Sequence, residues 1–119
     1  MKINSRDMQI LEHIVQYCYE VELTIKRFGK NQSCFEKDPI YLNAVSMPIL
    51  QIGELAKHLS NDFIKYHADI PWRAIKGMRD FFAHQYHSMD KEIIWNVAIE
   101  KVPNLKIQCQ KILSDMESK

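Results

Sequence analysis

Apolar side chains recur along this chain at intervals of three and four residues, with no useful run of strict alternation. Ile10, Ile14, Tyr17, Val21 and Phe28 form one row, and Leu11, Val15, Cys18 and Ile25 form a second beside it. Steps of three and four return a side chain to one face of a helix, whereas a half-buried strand needs alternation. Helices are therefore the expected element from end to end. With three Gly and four Pro in 119 residues, turns are few, so the helices are few and long. A chain of this length supports one modest core, and residues 1–119 read as a single domain.

The first helix is expected from about Asp7 to Phe28, closed by Gly29. Its double apolar row is wider than one packing neighbour needs, and either a thick monomer core or a second subunit accounts for it. Asn31 to Lys37 read as a loop. Asp38-Pro39 then joins a capping carboxylate to a proline in the first turn, a helix start. Leu42, Val45, Ile49, Ile52, Ala56 and Leu59 give that second helix one buried face. Pro48 removes a backbone donor inside it and predicts a bend, with a break as the lesser alternative. Asn61 to His67 reads as a short helix, and Pro71 opens another that carries Trp72, Ile75, Met78, Phe81 and Phe82. Asp90 caps a helix with Ile93, Ile94, Val97 and Ala98, and a last helix with Leu105, Cys109, Ile112 and Met116 follows Pro103. The expected fold class is all-α, an antiparallel bundle of four main helices plus a shorter one.

Composition narrows the function classes. A hydrophobic share of 46% and a charged share of 26% describe a folded domain and exclude a disordered one. A net charge of +1 excludes a uniformly basic nucleic-acid binder but not a local cationic site. Cys18, Cys34 and Cys109 are odd in number, far apart and without a Cys-x-x-Cys pair, as expected of reduced thiols in a cytoplasmic protein. The polar start from Met1 to Arg6, and the lack of any apolar run near 18 residues, predict neither secretion nor membrane insertion.

The stretch from Arg79 to Tyr86 carries the chemistry. On a helix Asp80, His84 and His87 share one polar stripe, Ile75, Met78 and Phe82 form the apolar one, and Arg79 and Tyr86 share a third line. This grouping suits metal-free cleavage of RNA. His84 titrates near neutrality and can move protons to or from a ribose 2′-hydroxyl or a leaving oxygen. Arg79 offers a fixed cationic fork to a phosphate whose charge grows in the transition state. Asp80, one turn before His84, can orient the imidazole, and Tyr86 can bond a phosphate or stack on a base. Positions 79 and 84 lie about 140° apart around an ideal helix. They meet at one phosphate only if the helix ends near Ala83 or a second subunit contributes. On spacing alone, surface ion pairs for Arg79 and Asp80 and a half-buried helix-end His84 are the plain alternative.

Other residues are weighed the same way. His58, His67, His84 and His87 are spaced 9, 17 and 3 apart and lack the paired set of a metal helix, so no metal and no cofactor is expected. Glu54, near the centre of an apolar helix, is either a partner for an arginine or the site, or a rim carboxylate. Trp72 and Trp95 read as core or interface aromatics rather than stacking platforms for RNA. Gly77, mid-helix, costs roughly 1 kcal/mol against Ala. Close approach of another helix across a dimer is the preferred reason, and simple tolerance is the alternative.

The segment Ile70-Pro71-Trp72 through Gly77-Met78-Arg79 to His84-Gln85-Tyr86 closely resembles the HepT-like branch of the HEPN superfamily. The likeness extends upstream through Gln51-Ile52-Gly53-Glu54-Leu55 to Ser60, and downstream to Met89-Asp90-Lys91 through Trp95 and to Val102-Pro103-Asn104-Leu105. It covers about residues 6 to 113, with Pro48 and the Phe81-Phe82 pair as local variation. The resemblance implies a HEPN-type helical bundle acting as a homodimer, with two Arg-x4-His motifs facing one cleft. It also implies a metal-independent endoribonuclease toxin acting on RNA, with Arg79 and His84 catalytic and Asp80 supporting them. Tyr86 matches the tyrosine that a minimal nucleotidyltransferase antitoxin modifies with AMP, which makes that antitoxin the expected partner, in a larger hetero-oligomer or not. The alternative from a different class is a non-catalytic HEPN module that serves a nucleotidyltransferase as scaffold.

Overall fold

The computed structural model of the chain describes residues 4–85 and 90–117, the side chains of 80–85 and 117 excepted. Every regular element among them is helical. Helix α1 spans Ser5–Phe28, and Asn4 caps it by accepting the Asp7 N–H at 2.7 Å, so it starts two residues before Asp7. Gly29 closes it at φ +103°, a conformation that costs a residue without Cβ little, and its N–H returns to the Ile25 carbonyl at 2.8 Å. Ile10, Leu11, Ile14, Cys18 and Val21 are buried, because α1 packs against both α3 (Pro39–Ala56) and α7 (Val102–Glu117). The core of one chain therefore accounts for most of the double row, while Val15, Tyr17 and Ile25 are only partly buried and Phe28 is exposed.

The expected loop after α1 is instead a helix, α2 (Gln32–Lys37), capped by the Asn31 side chain at 3.0 Å from the Cys34 N–H. Its one buried residue, Phe35, meets Tyr41 edge-on at 5.3 Å between centroids and Trp95 at 5.1 Å. A single anchor in six residues leaves no periodicity to read, so tertiary burial stabilises this turn. Asp38 caps α3 through the Ile40 N–H at 2.9 Å, as expected. Pro48 is buried within α3, which runs through it, so the break is ruled out. The helix ends at Ala56, and Leu59 is buried from the turn beyond it.

Ser60 caps α4 (Asn61–Tyr66), its Oγ accepting the Phe63 N–H at 3.2 Å. The same hydroxyl donates to Asp7 at 2.6 Å, and the Ser60 N–H donates to the other carboxylate oxygen at 2.9 Å. Helix α5 spans Trp72–Gln85, directly after Pro71. Asp90 caps α6 (Lys91–Asn96), accepting the Glu92 N–H at 3.0 Å. Sequence reading separates α6 from a last helix at Pro103, whereas the structure joins them through a π-helical turn, Val97–Lys101. There the Val102 N–H reaches back to the Val97 carbonyl. The wider ring absorbs Pro103, which has no N–H to give and whose ring would crowd an α-helical turn.

Contacts at the helix ends set the polarity. Tyr41 Oη donates to the Gly29 carbonyl at 2.8 Å, which puts the start of α3 at the end of α1. The Asp7–Ser60 contact puts the end of α3 at the start of α1. Helix α5 begins beside α4, where the Trp72 indole N–H donates to the His67 carbonyl at 3.0 Å and its ring lies 5.8 Å from Phe63. By Lys91, whose Nζ donates to the Glu36 carbonyl at 2.8 Å, the chain has returned to α2. Helix α5 thus runs back along α3, antiparallel to it. The result is an all-α antiparallel bundle with α1 and α3 inside and α5 and α7 flanking them. Trp72 and Trp95 are both core residues.

Cys18 and Cys109 are buried, and desolvation pushes each thiol up to about 12, while Cys34 is exposed; all three are free. No described helix is long and apolar enough to cross a membrane.

Candidate active site

Gly53, in the last turn and a half of α3, lies directly against the backbone of α5. A Cβ there would stand 3.0 Å from the Arg79 nitrogen, 3.1 Å from Arg79 Cβ and 3.1 Å from the Ile75 carbonyl oxygen. The two helices approach this closely only because residue 53 has no side chain. A Cβ at Gly77, the expected point of close approach across a dimer, would meet nothing within 4 Å among the described residues of the chain.

The next residue, Glu54, forms an ion pair with Arg79 through Oε1 and Nε. Glu54 combines the two alternatives: it pairs with an arginine, as a buried partner would, but it does so at the rim and is not buried. Both side chains are about a third exposed, at 35% and 37%. A pair at that exposure adds less than about 1 kcal/mol to stability, so its main effect is on the orientation of the guanidinium. The pair sits at the rim of the α3–α5 seam, with Ile52 and Ile75 buried nearby in the same helices.

Helix α5 continues past Ala83 to Gln85, which removes one of the two routes by which Arg79 and His84 could meet. Positions 79 and 84 therefore leave one continuous helix about 140° apart. The backbone of Asp80 and His84 belongs to α5; their side chains, and Tyr86 and His87 entirely, lie outside the described residues. No cluster of three His, Cys, Asp or Glu side chains suited to a metal occurs among the described residues. His67 is half-buried against Phe63 at 4.6 Å, and this desolvation lowers its pKa. Between α5 and α7 lies a cleft of about 330 Å³ whose apolar lining, including Ile75, Met78 and Leu105, is joined by Lys101, Asn104 and Gln108.

Sequence reasoning missed Gly53. A glycine inside a helix has the same local signature at 53 and at 77, and only the neighbouring helix distinguishes them.

A family model described as Ribonuclease HepT-like matches residues 9–112. The chain belongs to that family, the HepT-like ribonucleases of the HEPN superfamily. A protein of Thermococcus cleftensis, provisionally named ribonuclease HepT, is 39% identical over 94% of this chain and 98% of its own length. One from Caldanaerobacter subterraneus subsp. tengcongensis, provisionally named an RNase, is 38% identical over 87% of this chain and 90% of its own. Another from Methanocaldococcus jannaschii, named in the same way, is 37% identical over 70% and 69%. No solved structure matches the chain.

Proposed function

We propose that this HepT-like ribonuclease is a metal-independent endoribonuclease toxin that cleaves RNA as a homodimer, with Arg79 and His84 as its catalytic residues. The observation that carries the reading is the uninterrupted course of α5 through Arg79, Asp80 and His84 to Gln85. One helix cannot aim positions 79 and 84 at one phosphate, and a two-fold pair of copies can, each supplying what the other lacks. The open space around Gly77 leaves room on α5 for such a neighbour.

In the proposed reaction the 2′-oxygen of a ribose attacks the adjacent phosphorus, and the bond to the 5′-oxygen of the next nucleotide breaks. His84 handles the proton taken from the 2′-hydroxyl or delivered to the leaving oxygen. Arg79 neutralises the charge that builds on the phosphoryl oxygens. Asp80 supports the imidazole from one turn away. The products are a 2′,3′-cyclic phosphate and a 5′-hydroxyl.

Tyr86 is the proposed control point. A minimal nucleotidyltransferase antitoxin would transfer AMP from ATP to its phenol, the phenol oxygen displacing pyrophosphate at the α-phosphorus, and so set negative charge and bulk two residues beyond His84, where RNA must bind. The alternative, a HEPN scaffold without nuclease activity, has no need of Arg79 and His84 together.

The test is cleavage of RNA by purified protein in excess chelator, with the ends of the fragments identified. Arg79→Ala and His84→Ala should each lose at least about 100-fold in rate. Activity that vanishes with chelator, or survives both substitutions, overturns the mechanism. Co-expression with a cognate nucleotidyltransferase should add AMP mass to the wild-type chain and none to Tyr86→Phe. Neutralisation without that mass defeats the regulatory assignment alone.

A further inference from the structure

Three features of α3 and α5 coincide. Gly53 lets α3 sit against the backbone of Arg79 itself, with 3.0 Å between the site of a missing Cβ and the Arg79 nitrogen. Glu54 then meets the Arg79 side chain at Nε. Both charges remain about a third exposed at the rim of the seam, so the pair contributes little to holding the fold together. A carboxylate beside an arginine that must bind phosphate also repels that phosphate. Neither stability nor substrate affinity accounts for it, and orientation of the guanidinium remains.

We infer that Glu54 is the positioning residue for Arg79, and that Gly53 is the contact that brings Glu54 within reach. The inference rests on the ribonuclease reading of Arg79. A guanidinium has two hydrogen-bonding edges, one that includes Nε and one formed by the two terminal nitrogens. Glu54 grips the Nε edge and so restricts the rotation of the planar fork that a phosphate would meet. Arg79 has a long side chain with many rotamers, and holding it before substrate arrives removes that ordering from the reaction barrier. Glu54 weakens ground-state phosphate binding and raises the rate, a combination that a merely structural ion pair does not produce.

The test compares wild type, Glu54→Gln, Glu54→Ala and Arg79→Ala in steady-state RNA cleavage, with thermal melting and the NMR signals of arginine Nε–H groups as separate readouts. The chain has only four arginines, Arg6, Arg27, Arg73 and Arg79, so the Arg79 signal is assigned by its loss in Arg79→Ala. Both Glu54 variants should lose about tenfold or more in kcat, with KM for RNA unchanged or lower and Tm within a few degrees of wild type. Exchange of the Arg79 Nε–H with water should be slowed in wild type and fast in both variants. An unchanged kcat, a KM that rises with kcat unchanged, or an Nε–H signal indifferent to Glu54 overturns the assignment. If wild type and Arg79→Ala cleave RNA equally, the ribonuclease reading of Arg79 fails instead, and the Nε–H signal still decides whether Glu54 positions it.

Discussion

Of the carboxylates that tie helices together among the described residues, Asp7 and Glu54 do so in opposite environments. Asp7 is almost fully buried at 1% exposure and takes both of its tertiary bonds from a neutral partner, the N–H and hydroxyl of Ser60. Glu54 is about a third exposed and faces a cation, Arg79. The Asp7 contact links the start of α1 to the cap of α4, since the Ser60 hydroxyl that donates to Asp7 also accepts the Phe63 N–H. Its carboxylate is shielded from water. The Glu54 contact is partly open to solvent, worth little as a fastening, and made to the proposed catalytic arginine. The lesson is that burial marks a polar contact as architectural, while partial exposure leaves its charged groups available to a substrate.

Substitutions that separate stability from activity test this contrast. Asp7→Ala should have the largest effect on stability, a loss of about 2 kcal/mol in chemical denaturation, because it removes the acceptor of both the half-buried Ser60 hydroxyl and the Ser60 N–H and weakens the α4 cap. Its kcat, measured well below the melting range, should stay within about twofold of wild type. A selective loss of kcat in a fully folded Asp7→Ala protein would erase the distinction between the two carboxylates.

Gly53→Ala should cost less, about 1 kcal/mol net. Overpacking against the α5 backbone outweighs the helix propensity that the methyl adds. Here the obstacles are the Arg79 nitrogen and the Ile75 carbonyl, which move only if the helix moves. Cleavage rate should fall together with stability. A stabilised and fully active Gly53→Ala would mean that the close approach has no role at the site.

Gly77→Ala should have the smallest effect and the opposite sign, a gain of up to about 1 kcal/mol, since nothing among the described residues obstructs the new methyl. Denaturation at several protein concentrations sharpens the result. A concentration-dependent loss would place a second copy of the chain against Gly77.

The local half of this structure was legible in the sequence. Asp38 before Pro39, Asp90 before α6 and Gly29 after α1 each cap a helix as their residue types require, because a cap depends on a few neighbouring backbone groups. Apolar steps of three and four located the long helices and their buried rows for the same reason. The Arg79–His84 spacing was equally plain, and so was the family it resembles. Where an element depends on a neighbour distant in sequence, local pattern does not reveal it. Helix α2 was read as a loop because its helicity depends on Phe35 lodging between Tyr41 and Trp95. Pro103 was read as a boundary because a π turn upstream, absorbing one residue, has no signature of its own.

What the sequence by itself determined is thus most of the helices and most of their ends, since these follow from interactions within a turn or two of chain. The tertiary structure alone decided which glycine lets helices touch and which carboxylate meets Arg79. Gly53 and Gly77 are alike in their own helices, and Glu54 is one acidic residue among 15 Asp and Glu. Only the antiparallel packing of α3 on α5 sets Gly53 against the Arg79 backbone and brings Glu54 to its side chain, because contact across 25 residues of chain is a property of the packed helices and not of either one alone.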